Sequence, residues 1–166
     1  MASAGLNINL AKRLEGVWKG TGRGAYPPRV PEFVYHETLT ISPTAKPFVW
    51  AFHSMTKHAE TGKPMHVETG YIRAPPSGTI ELIATHPFGL TEISQGTPKL
   101  LGKIELMATE SGLQRVDSAT SPYTTGLRRV YEISEDGQSL LFTMDMATNN
   151  HPELSNHLVS RLTREQ

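Results

Sequence analysis

The sequence predicts an all-β fold, an antiparallel β-barrel of about ten strands behind a short N-terminal helix. Three observations lead there. Apolar residues alternate with polar ones over short runs, which is the period of a strand. Turn signals recur every ~8–12 residues, as in antiparallel sandwiches and barrels. The chain of 166 residues holds 14 Gly and 12 Pro, and few of its segments keep a helical period. Closure is favoured over an open sheet because it leaves no exposed edge, and small barrels enclose one small ligand.

Residues 1–9 read as a flexible tail and 10–166 as the barrel domain. Leu10 to Leu14 suits a short helix. Strand patterns follow over Gly16–Ala25, Phe33–Ser42, Phe48–Thr56, Met65–Ala74, Thr79–Thr85 and Leu90–Gln95. Five more cover Leu100–Ala108, Leu113–Ala119, Leu127–Ser134, Leu140–Ala147 and His157–Thr163. Segments such as Pro43-Thr44-Ala45-Lys46-Pro47 and Glu135-Asp136-Gly137-Gln138 supply the turns between them. Pro152 to Asn156 reads as one helical turn. Along Phe33, Tyr35, Glu37, Leu39 and Ile41 one face is apolar except for a carboxylate. A charge on an inward stripe marks a polar cavity or an edge position.

The first strand carries Gly16, Gly20, Gly22 and Gly24 around Trp18, ending in Tyr26-Pro27. Gly20, Gly22 and Gly24 alternate, so one face of the strand is bare and suits a bend, a second backbone or a flat cofactor. A phosphate-binding loop is the rival reading, and it fails. Ala25 stands where the dinucleotide fingerprint needs its third glycine, and Pro27-Pro28 blocks the helix that should follow. The Gly-Lys-Ser/Thr of a Walker loop does not occur.

Sixteen basic residues balance sixteen acidic ones, so no overall field draws nucleic acid or an anionic membrane. Cysteine is absent, which removes disulfides, thiolate zinc sites, iron–sulfur clusters and thiolate-ligated heme. A metal must then be held by His, Met, Tyr or carboxylates. The start lacks a basic region followed by an apolar run, and no apolar stretch reaches the ~20 residues of a membrane helix. Cytoplasmic or nucleocytoplasmic residence is the resulting expectation.

The run Gly16-Val17-Trp18-Lys19-Gly20-Thr21-Gly22-Arg23-Gly24-Ala25-Tyr26-Pro27 resembles the GxWxGxGxGxYP signature of nitrobindins, small heme-binding β-barrels. Three further blocks are similar in order and spacing. They are Pro64-Met65-His66-Val67-Glu68-Thr69-Gly70-Tyr71, Gly89-Leu90-Thr91-Glu92-Ile93-Ser94-Gln95-Gly96, and the closing Met146-Ala147-Thr148 with His157-Leu158. The likeness spans about residues 10 to 165.

The resemblance implies a ten-stranded barrel like those of lipocalins and fatty-acid-binding proteins, with one ferric heme b per chain at its open mouth. It implies His157 as the axial iron ligand, nitric oxide and peroxynitrite as small-molecule ligands, and isomerisation of peroxynitrite to nitrate. No catalytic side chain is needed beyond the iron. Pro28 stands where the family commonly has a threonine among its heme contacts, so a hydroxyl and an N–H donor are lost. The segment before His157 is about one residue longer than in relatives, with His151-Pro152 in the extra length.

For the open side of the iron the candidates are Met65, His66, His86 and Met146. Met65 and His66 cannot both face inward on a regular strand. His86, in Thr85-His86-Pro87, reads equally as a pocket or a loop residue. The competing function is a non-enzymatic carrier of a fatty acid or other apolar ligand, which has no need of His157. Zinc hydrolysis has little support: the histidine pair available to it is His151 and His157, and no HExxH occurs.

Overall fold

The computed structural model describes residues 3–166. One helix, α1 (Ser3–Arg13), precedes eleven strands. These are β1 (Gly16–Tyr26), β2 (Val30–Pro43), β3 (Val49–His58), β4 (Pro64–Arg73), β5 (Ile80–His86) and β6 (Leu90–Gly96), then β7 (Lys103–Ala108), β8 (Leu113–Arg115), β9 (Thr124–Ile133), β10 (Ser139–Thr148) and β11 (His151–Arg164). A short 3-10 turn at Glu110–Gly112 lies between β7 and β8.

Every strand pairing is antiparallel. The order runs β5-β4-β3-β2-β1-β11-β10-β9-β7-β6, and β5 pairs with β6 to close a ten-stranded ring. The extra strand, β8, adds to β6 at Leu90, Thr91 and Glu92. The pairing of β1 with β11, Trp18 opposite Arg164 through Gly24 opposite Leu158, brings the two ends of the chain together. The all-β barrel expected from the pattern is the fold observed.

Three local expectations change. Helix α1 begins at Ser3, so residues 3–9 are not a tail; residues 1 and 2 lie outside the described residues. Its buried stripe is Asn7, Leu10 and Ala11, with Leu14 just past its end, the spacing of one helical face, but with a polar residue at its head. The Asn7 amide donates to the carbonyls of Pro75 and Thr79, both at 2.8 Å, and so ties the helix to the β4–β5 turn. Pro152–Asn156 is not a helical turn. It belongs to β11, because the two-residue connection Asn149-Asn150 folds this stretch back along β10, pairing Thr148 with His151 and Met146 with Ser155. Strand β8 stops at Arg115, four residues short of the expected end.

The glycine strand packs as its bare face requires. A Cβ on Gly20 would lie 1.9 Å from the Arg161 carbonyl oxygen, so β11 approaches more closely than any side chain would permit. Gly22 and Gly24 sit directly opposite Tyr35 and Phe33 on β2. The rings of those partners occupy the space where the glycine Cβ atoms would be. The flat groups over the glycines are therefore the chain's own aromatic rings.

One end of the barrel is filled. Leu10 and Ala11 of α1, with Leu14 just past its end, join Trp18, Ile41, Trp50, Ile72 and Ile80 in the core. The Trp18 indole N–H donates to the Leu14 carbonyl at 2.9 Å, and the Trp50 indole N–H to the Glu15 carboxylate at 2.6 Å. Arg164 lies over the Trp18 ring at 4.1 Å and donates to the Arg13 carbonyl. The other end is left to the site.

Candidate functional site

Above this plug the barrel holds a cavity of about 230 Å³. Its walls are largely apolar, from Phe33, Leu39, Phe52, Phe142, Met144 and Leu158. Phe88 and Met65 line it while 56% and 42% exposed, so they mark its mouth. Inward residues of eight strands, β2–β6 and β9–β11, meet here because alternate positions on each face the interior.

His157 lines the cavity from β11. Its Nδ1 lies 3.0 Å from the Ala25 carbonyl oxygen. A carbonyl can only accept, so Nδ1 carries the proton and Nε2 keeps its lone pair. The Tyr26 ring meets the imidazole edge-on, centroids 5.6 Å apart at 79°, and the Tyr26 hydroxyl donates to the Met146 carbonyl at 3.3 Å. Burial lowers the His157 pKa and so favours the neutral ring, an effect that the Ala25 carbonyl only partly offsets.

Beneath these groups is a buried ionic network. Arg129, 1% exposed, donates from Nη1 and Nη2 to the two Glu68 oxygens at 2.9 and 3.0 Å. It also donates to both Glu92 oxygens, from Nε at 2.9 Å and Nη2 at 2.6 Å. Burial alone would raise both carboxyls. Arg129 beside them, with hydrogen bonds from His66 to Glu68 and from His86 to Glu92, holds both below the usual carboxylate range. Ser94 also donates to Glu92.

Glu37 is the opposite case. Burial pushes its carboxyl up, and the Ser160 and Ser54 hydroxyls at 2.7 and 3.1 Å only partly counter this. The inward carboxylate read from the β2 pattern thus faces a polar cavity wall and not an edge. Tyr35, on the same stripe, has a buried hydroxyl with no hydrogen-bond partner among the described residues.

The structure gathers Met65, His66, His86, Met146 and His157 around one cavity. His66 shares the inward face of β4 with buried Glu68, whereas Met65 sits at the rim. His86 is the last residue of β5 and buried, so it is a pocket residue. Tyr26 is buried against His157. Pro27 and Pro28 lie in the β1–β2 turn, and Pro28 is exposed and outside the cavity lining. His151 opens β11 and is exposed. The histidines that meet are not His151 and His157 but His66 and His86, 3.1 Å apart from Nε2 to Nδ1. Sequence reasoning gave no role to Glu68, Glu92 or Arg129. Arg129 shares a strand face with Leu127 and Tyr131, the same charge-in-an-apolar-stripe signal that singled out Glu37.

The donor set fits an iron porphyrin. It offers a neutral imidazole whose ring is oriented by a backbone carbonyl, a second contact known to fix metal-ligating histidines, set among apolar walls with an open mouth. Among the described residues, His157 Nε2 has no hydrogen-bond partner.

Comparison with known proteins agrees with this geometry. The family model described as "THAP4-like, heme-binding beta-barrel domain" matches residues 7–164. The chain is 38% identical over 156 residues to "Peroxynitrite isomerase 2" of Mycobacterium avium (strain 104), covering 92% of this chain and 91% of that one. It is 33% identical over 153 residues to "Peroxynitrite isomerase" of Nocardia farcinica (strain IFM 10152), covering 92% and 87%. The crystal structure of Rv2717c from M. tuberculosis superposes with a TM-score of 0.82 at 32% identity, over 96% of this chain and 98% of that one. The chain therefore belongs to the THAP4-like, heme-binding β-barrel family, the nitrobindins its motifs resemble.

Proposed function

We propose that this chain binds one ferric heme b through His157 Nε2 and isomerises peroxynitrite to nitrate. The observation that carries the reading is the 3.0 Å contact from His157 Nδ1 to the Ala25 carbonyl, which leaves the opposite nitrogen unprotonated toward the cavity. Membership of a heme-binding family and relatives named peroxynitrite isomerase support it. When bound, ferric heme supplies an iron centre at which the O–O bond of peroxynitrite can break and its atoms recombine as nitrate.

The chain's own residues set the conditions. Ala25 and Tyr26 hold the His157 ring in one orientation. Phe33, Phe142, Met144 and Leu158 exclude water, which favours recombination within the cavity over escape of reactive fragments. Met65, His66, His86 and Met146 line the same cavity and are assigned to the side open to ligand.

Stopped-flow mixing of peroxynitrite with the hemin-loaded chain tests the reading. Decay faster than with free hemin, with nitrate as the product and the gain lost in His157→Ala, is expected. Decay no faster than with free hemin would overturn it.

A further inference from the structure

We propose that His66, Glu68 and His86 form a binding site for a divalent transition-metal ion of the zinc or ferrous-iron class, separate from His157. The geometry is that of a ligand triad. His66 Nε2 and His86 Nδ1 are 3.1 Å apart, and Glu68 Oε1 lies 3.3 Å from the first and 3.6 Å from the second. Three ligand atoms about 2.1 Å from a tetrahedral zinc ion are themselves about 3.3–3.4 Å apart. Those three atoms therefore already span the face of a coordination shell, with the remaining position toward the cavity that all three residues line.

The outer contacts orient the triad as metal ligands are usually oriented. His86 Nε2 lies 3.3 Å from Glu92 Oε2. A carboxylate only accepts, so Nε2–H donates and, in the neutral ring, Nδ1 turns its lone pair to the triad. Glu68 is anchored in turn by Arg129. Phe88 covers the pair of imidazoles, its ring centroid 5.6 Å from His66 and 5.3 Å from His86. The His66 side chain is 33% exposed and gives an ion its way in.

Charge supplies an independent reason. Glu68 and Glu92 set two buried negative charges against the one positive charge of Arg129. A buried net charge is costly unless compensated, and the compensating cation belongs beside Glu68, where both imidazoles converge. Two imidazoles with one carboxylate are a ligand set used by zinc and by non-heme iron. An ion there displaces the proton through which His66 Nε2 now reaches His86. It would place a Lewis acid in the same cavity as His157.

The test uses the full chain freed of metal with a chelator. Zinc is titrated calorimetrically and cobalt(II) by its visible d–d absorption. One ion per chain is expected, with low-coordinate cobalt bands, affinity at least tenfold weaker in His66→Gln and in His86→Gln, and His157→Ala binding like the parent. Thermal melting of His66→Gln, a partly exposed position, checks that the fold is kept. Binding that is absent, or equal in the parent and His66→Gln, would overturn the site. So would loss of zinc in His157→Ala with retention in His86→Gln. Hemin titration of the same proteins reports separately on the heme reading, which rests on His157.

Discussion

His157 Nδ1 and the Ala25 carbonyl oxygen are joined across 3.0 Å between β11 and β1, neighbouring strands that pair the chain's two ends. This bond joins the glycine-rich opening motif to the closing His-Leu motif. The first supplies the backbone acceptor and the second the imidazole. Close approach of the strands at Gly20 and the ring of Tyr26 keep the two in register.

Tyr26 should act on heme binding through His157. Tyr26→Phe loses one hydrogen bond, to the Met146 carbonyl, and should cost about 0.5–1.5 kcal/mol of stability with hemin affinity kept. Tyr26→Ala removes the ring that meets the imidazole edge and should weaken hemin binding about tenfold. Hemin titrations of the two variants side by side check this.

Arg129 is the guanidinium partner of two buried carboxylates, so its removal should be severe. Arg129→Met leaves Glu68 and Glu92 buried without their guanidinium and should destabilise the fold by about 3–5 kcal/mol in urea denaturation. Adding Glu68→Leu and Glu92→Leu to the same chain should restore most of that loss, since no buried charge then remains unpaired. A triple variant no more stable than the single one would contradict this account.

Glu37 makes the pH dependence run the other way from a salt-bridged carboxylate. Its folded pKa is raised by burial, so above the ordinary carboxylate range the unfolded chain ionises while the folded chain retains the proton. The stability tied to this group is complete below the unfolded value of about 4.3 and is lost as pH rises toward the folded one. Glu37→Gln should therefore be more stable than the parent near neutral pH, with the difference shrinking toward about pH 4. Urea unfolding at the two pH values measures it.

Glycine to alanine changes should separate two kinds of position. At Gly20 the new Cβ meets the Arg161 backbone oxygen at 1.9 Å, and the β1–β11 seam must open at a cost of about 1–3 kcal/mol. At Gly5, in α1, it meets nothing within 4 Å, so the helix should gain up to about 1 kcal/mol. Thermal melts of both variants decide the point.

The barrel was legible because strand alternation and turn residues are local signals, and Glu37 was legible as a charge within an apolar stripe. Helix α1 was only half visible, because Asn7 interrupts its apolar face and its partners, the carbonyls of Pro75 and Thr79, are some 70 residues away in the chain. The strand start at His151 depends on pairing with β10, which outweighs the turn preferences of Pro152 and Asn156. His66 meets His86 at the open end of the β4–β5 hairpin, whereas Glu68 on β4 and Glu92 on β6 meet Arg129 on β9 inside the closed ring of strands. Residues 20, 37 and 61 positions apart come together in these contacts, and no local pattern announces it.

A hemin titration of the parent chain beside His157→Ala decides whether His157 is the iron ligand. A one-to-one complex with a ferric histidine–heme Soret spectrum in the parent, lost in the variant, is the predicted result. Equal binding and equal spectra in both would contradict it.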